Sequence, residues 1–156
     1  MAGALTAGAL TAGVMQVRVA RQTGRLPEVV GFYRDGVGLP VVGGFTDHDG
    51  YSGVMVDLPG TGAHLEFTAT LHGASPVAHP EDLLVLYLGS RAAVDAVLAR
   101  VGGSTVASAN PYWDRVGVTV TDPDGFRVVL VADSWTAQAT LPPDGAPLRP
   151  DGVVGR

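Results

Sequence analysis

Two rhythms of hydrophobic and polar residues alternate along the chain. VRVARQ at 17–22 and LLVLYL at 83–88 are short apolar-rich runs, and both read as strands. LPEVVGFYRDGVGLPV at 26–41 spaces Val29, Val30, Phe32 and Tyr33 as one stripe of a short helix. SRAAVDAVLARVGGSTV at 90–106 does the same with Val94, Val97, Leu98 and Val101. Glycine follows each stripe, at Gly36 or Gly38 and at Gly102, where a left-handed residue ends a helix. GVMVDLPGTGAHLEF at 53–67 and GVTVTDPDGFRVVL at 117–130 each read as strand, Pro- and Gly-containing turn, strand.

These segments form a repeat. Gly53 and Gly117 differ by 64 positions, His64 and Arg127 by 63, Gly38 and Gly103 by 65. The order strand, helix, strand, strand, strand therefore occurs twice, which predicts an α+β fold of two tandem βαβββ modules. Residues 15–72 form the first module, 73–82 a linker and 83–135 the second. The chain starts with a tandem Ala-Leu-Thr-Ala-Gly, and residues 1–14 read as a flexible extension. Residues 136–156, punctuated by Pro, Gly and Asp, read as a loose tail.

The two-residue period of a strand sorts side chains onto two faces. Val17, Val19, Leu65, Phe67, Leu84, Leu86, Leu88, Phe126, Val128 and Leu130 share one face, which is expected to pack under the helices. Arg21 alone breaks its apolarity and is expected at a sheet edge. Arg18, Gln22, His64, Glu66, Thr68, Tyr87 and Arg127 share the other face. A mixed polar and apolar surface of this kind suits a small-molecule site.

Composition narrows the chemistry. With 46% hydrophobic and 16% charged residues among 156, the chain should fold around a core. Cysteine is absent, which removes disulfides, thiolate nucleophiles and Cys-ligated metals. All ten basic residues are arginine, so there is no Schiff-base or P-loop lysine. A net charge of −5 with no basic stripe argues against nucleic acid, and no run is long and apolar enough to span a membrane. Without a recognisable signal peptide a cytoplasmic location is expected. Arginine without lysine and valine without isoleucine suggest a GC-rich bacterial genome. No GxSxG or GxGxxG motif stands in the right setting for a serine nucleophile or a dinucleotide.

The tandem repeat, with GFYRDGVGLPVV after the first strand, HLEF closing the first module and DPDGFRVVLV closing the second, resembles the vicinal oxygen chelate superfamily. That group includes glyoxalase I, extradiol dioxygenases and the fosfomycin- and bleomycin-resistance proteins. The resemblance covers residues 16–133. It implies a cup-shaped mixed β-sheet with helices on its outer face, a homodimer, and a divalent metal held on the first and last strand of each module. Those four positions map to Arg18, Glu66, Leu83 and Val129. Only Glu66 can ligate, since a guanidinium stays protonated and Leu and Val carry no donor. A metal would have to recruit His64 and His48 beside Glu66.

The expected function is therefore binding of a small organic molecule in the cup without the usual metal or any other cofactor. The ligand residues would be Arg18, Gln22, His64, Glu66, Thr68, Tyr87 and Arg127, with Tyr112 and Trp113 at the mouth. The alternative is a glyoxalase-like lyase or isomerase, or a dioxygenase, using Glu66 as metal ligand or general base. Arg18 and Glu66 are expected to pair, either to orient a ligand or simply to neutralise a buried acid. Tyr87, Tyr112 and Trp113 also have the ordinary reading of packing residues, and Arg127 that of a solvated arginine.

Overall fold

The computed structural model describes residues 13–136. The expected extension and tail therefore lie mostly outside the described residues. In the first module β1 (Val17–Gln22) leads to α1 (Leu26–Gly31), a π-helical turn (Phe32–Val37), β2 (Val41–His48), β3 (Tyr51–Leu58) and β4 (Ala63–Thr70). Pro27 sits in the first turn of α1, where its missing N–H costs nothing, and Gly38 ends the π-turn at φ 94°. The four strands order as β1-β4-β3-β2, with β1 parallel to β4 and the hairpins antiparallel.

The second module runs β5 (Leu83–Tyr87), α2 (Arg91–Arg100), α3 (Pro111–Val116), β6 (Gly117–Thr121) and β7 (Arg127–Val131). Ser90 caps α2 by accepting from the Ala93 N–H, and Asn110 caps α3 by accepting from the Tyr112 N–H. Its sheet has the order β5-β7-β6. The strand expected after α2 shrinks to one bridge, Val106 to Thr119. Only Thr105 and Val106 favour a strand there, between Gly102-Gly103 and the Asn110-Pro111 helix start.

The modules share one core. Val29, Tyr33, Val56 and Phe67 of the first pack with Val94, Val97, Val128 and Leu130 of the second. Gly36 lies so close to α2 that a Cβ there would stand 2.7 Å from Val101 Cγ1. Arg100 donates from Nε to the Gly36 carbonyl at 2.8 Å and from Nη2 to that of Val37 at 3.1 Å. These bonds satisfy carbonyls at the end of the π-turn and fasten α2 to it.

Arg21 lies at a sheet edge, as expected, since β1 is the outer strand of its sheet, but it is not solvated. Its side chain is only 15% exposed and pairs with the buried carboxylate of Asp122. The guanidinium lies 3.8 Å from the Phe126 ring centroid and 5.2 Å from that of Phe67. Tyr33 Oη donates to the same carboxylate at 3.0 Å, and its ring stacks on Phe67 at 4.7 Å. Asp122 Oδ1 accepts from the backbone N–H groups of Asp124 and Phe126, which shapes the DPDG turn. Each module thus supplies half of a buried polar knot.

Val17 and Val19 depart from expectation. They lie on the helix-facing side of β1 but stay 45% and 57% exposed. Strand β1 is the edge of its sheet, and nothing within the described residues covers it.

Candidate functional site

The register of the first sheet builds its polar face row by row. Arg18 on β1 stands beside His64 on β4, and His64 opposite Asp57 on β3. The next row is Ala20, Glu66 and Met55, and the next Gln22, Thr68 and Gly53. Parallel pairing of β1 with β4 keeps the alternations in phase, so all these side chains emerge on one side.

Arg18 ties the first two rows together. Its Nε–H donates to His64 Nε2 at 2.8 Å, and its Nη1 lies 2.8 Å from Glu66 Oε2. The second contact is an ion pair without good hydrogen-bond alignment, since Glu66 Oε2 has no directed partner. His64 and Glu66 are buried, the Glu66 side chain at 10% exposure, while Arg18 is 53% exposed. His64 accepts at Nε2, so its proton sits on Nδ1 and the ring is neutral in this arrangement. The arginine contacts two buried groups while about half of its own side chain stays in solvent. Ala20, the small residue between Arg18 and Gln22, leaves room for it.

Two residues that the sequence reading passed over extend this face. Met55 pairs across from Glu66 and reaches towards Gly43, where a Cβ would meet Met55 Cε at 3.0 Å. The Phe45 ring lies over Gly53, where a Cβ would stand 2.6 Å from its edge. Glycine at 53 is what lets an aromatic ring lie flat on the strand. Register shifts in β2 hide Phe45 from simple alternation, while Met55 sits in the run Val54-Met55-Val56, which is apolar on both faces.

The other expected site residues are elsewhere. Tyr87 and Arg127 occupy the corresponding face of the second sheet, and Arg127 Nη1 donates to the Ala107 carbonyl at 3.2 Å. Tyr112 and Trp113 lie on α3, edge to face at 5.0 Å, and α3 packs on β6. His48 stands at the tip of the β2–β3 hairpin with its side chain 80% exposed. Its partner Tyr51 pairs with Thr70, four residues along β4 from Glu66, about 13 Å at the rise of a strand. The structure does not bring His48 to His64 and Glu66.

The donor set does not fit a divalent metal. Leu83 and Val129 fall on the polar side of the second sheet at the places that match Arg18 and Glu66, but neither can ligate. Among the described residues no three His, Asp or Glu side chains cluster. His64 Nε2 is already taken by an arginine N–H.

A cleft of about 600 Å³ opens on the opposite side of β1 from Arg18. Val19, Leu65, Phe67, Leu84 and Phe126 make it apolar. One outer strand of each sheet, β1 and β5, flanks it.

Comparison with known proteins places this geometry in a family context. Residues 17–68 match the YycE-like N-terminal domain, and residues 81–132 match the YycE-like C-terminal domain. The uncharacterised protein YycE of Bacillus subtilis is 46% identical over 120 residues, 74% of this chain and 86% of that protein. The crystal structure of a B. subtilis YycE protein of unknown function superposes with a TM-score of 0.74 at 41% identity, covering 81% of this chain and 94% of that one. A trypanothione-dependent glyoxalase I of Leishmania major gives a TM-score of 0.60 at 17% identity, over 78% of this chain and 88% of that one. TnmS3, an antibiotic-binding protein of Streptomyces sp. CB03234, gives 0.55 at 19% identity, over 79% and 98%. These last two likenesses concern the fold alone, which is that of the vicinal oxygen chelate group.

Proposed function

Because the chain belongs to the YycE-like family and has the vicinal oxygen chelate fold, we propose that it binds a small organic molecule on the polar face of β1 and β4 without a metal. One observation carries the reading. At the first-strand position where the fold resemblance implies a metal ligand stands Arg18, and its guanidinium bridges His64 and Glu66. A fixed cation then does the electrostatic work of a bound ion. Met55 and Phe45 supply apolar surface beside it, and Gln22 and Thr68 supply hydrogen-bonding groups.

The binding unit in this proposal is a homodimer. The β1 and β5 edges carry unpaired backbone groups along an apolar cleft, and an open edge of that kind calls for a partner strand. A second copy placing its β5 against this β1 would cover Val17 and Val19, and light scattering should then give twice the chain mass.

The functional reading is tested by titrating the protein with a panel of small aromatic and aliphatic ligands while following backbone amide shifts. Shifts concentrated on Arg18–Gln22 and His64–Thr68 are expected; shifts confined to the β1–β5 cleft would defeat it. Protein purified without chelator should hold far less than one equivalent of Zn, Ni, Mn or Fe. Stoichiometric metal that disappears in Glu66→Gln would overturn the metal-free reading and revive the lyase, isomerase or dioxygenase alternative.

A further inference from the structure

We infer that the ligand of this face carries an oxyanion, a carboxylate, and that Arg18 is its anchor; the inference rests on the binding reading above. Arg18 is a five-donor fork. Nε is committed to His64 and one side of Nη1 to Glu66, both on β4 beneath it. Nη2 has no hydrogen-bond partner among the described residues, and the side chain is half in solvent. Nη2 is therefore the part of the guanidinium left to meet an acceptor from solution. A charge-assisted N–H···O bond to a carboxylate is the strong contact open to it.

The inner contacts serve this role. An unrestrained surface arginine samples many rotamers and loses that freedom when it binds. Arg18 is already oriented by one neutral acceptor and one carboxylate. The neutral imidazole holds Nε without cancelling charge. Glu66 does cancel charge, and Asp57 across from His64 adds a second carboxylate to the neighbourhood. The design thus has an internal opposition: Glu66 helps to aim the guanidinium but weakens its pull on an anion. Because His64 still holds Nε, removing the charge of Glu66 should strengthen the anchor. A site built to receive a cation or a hydrogen-bond donor at Glu66 would respond the opposite way.

Benzoate and its neutral isostere benzamide are suitable probes, with Met55 and Phe45 as the surface for the ring. Binding is read from backbone amides of β1 and β4 and from the Arg18 Nε–H resonance of the full chain. Benzoate at millimolar concentration should move both, and benzamide should bind at least about tenfold more weakly, as expected when a charge-assisted pair is lost. Glu66→Gln should bind benzoate more tightly, several-fold. Since Arg18→Ala alone risks stability, the decisive variant is the double substitution Arg18→Ala/Glu66→Gln, which leaves no stranded charge and should lose benzoate. Equal binding of the two probes on this face, or benzoate binding that survives the double substitution, overturns the oxyanion inference while leaving the binding reading intact. Weaker benzoate binding in Glu66→Gln overturns it as well. Benzoate that moves only residues outside this face overturns the inference and counts against the binding reading too. If benzoate moves no resonance, the inference fails alone, and the wider ligand panel decides the rest.

Discussion

Asp122→Ala should destabilise the protein by about 3–5 kcal/mol, because it strands a buried arginine without its countercharge. The carboxylate is fully buried and serves four donors: Arg21, the Tyr33 hydroxyl and the backbone N–H groups of Asp124 and Phe126. Loss of the side chain removes all four at once and leaves the Arg21 guanidinium between two aromatic rings with nothing to pair with. Because Arg21 and Tyr33 come from the first module and Asp122 from the second, unfolding should remain one transition in the wild type and lose cooperativity in the variant. Urea denaturation followed by fluorescence measures both. A loss below about 1 kcal/mol, the scale of an exposed pair, would contradict the buried-knot assignment. Asp95→Ala, which removes only the exposed pair with Arg91 on α2, is the matched control and should stay within about 0.5 kcal/mol.

The same knot gives the protein an alkaline limit. Burial, and then the charge of Asp122, push the Tyr33 phenol well above its ordinary range. The unfolded chain releases this proton near pH 10, whereas the folded one retains it. Above that pH the folded state binds more protons than the unfolded one, so stability falls as pH rises. Tyr33→Phe should be less stable at neutral pH, through loss of the hydroxyl bond, yet show a flatter decline above about pH 10.

The outcome for Arg21 shows what alternation along a strand reveals and what it conceals. The period of two placed Arg21 on the apolar side, and that placement holds. It did not reveal a partner 101 residues away on a turn, because pairing across modules depends on how the helices dock. Arg18 and Glu66 were legible for the opposite reason. Both lie on one sheet, and the parallel pairing of first and last strand within a module puts them in neighbouring rows of adjacent strands, within reach of an arginine side chain. The reduction of a strand to the Val106 bridge was written in the sequence as Gly102-Gly103 and Asn110-Pro111, but the internal repeat argued against reading it so. Phe45 was concealed by the register shifts in β2, and Met55 by the apolar run Val54-Met55-Val56, which favours neither face. The apolar cleft was concealed because Val17 and Val19 look like core residues until the strand is seen to be an edge.

Arg18→Ala should cost more stability than Glu66→Gln, about 2 kcal/mol against less than about 1, and the double variant should recover most of the larger loss. The asymmetry follows from burial. Glu66 is nine-tenths enclosed, so without the guanidinium its carboxylate has neither water nor a countercharge. Arg18 is half exposed, so without the carboxylate it turns to solvent and still keeps His64 as acceptor. The magnitude stays below that of the Asp122 variant because solvent already screens one member of the pair. In the double variant the glutamine amide is uncharged and can donate to His64 Nε2 or to solvent, so no charge remains buried. Thermal denaturation of the four proteins closes the cycle. Equal costs for the two single changes would show that Glu66 is better solvated than its enclosure implies. A double variant no better than Arg18→Ala would show that the arginine stabilises the sheet through its alkyl stem and His64, with Glu66 a bystander.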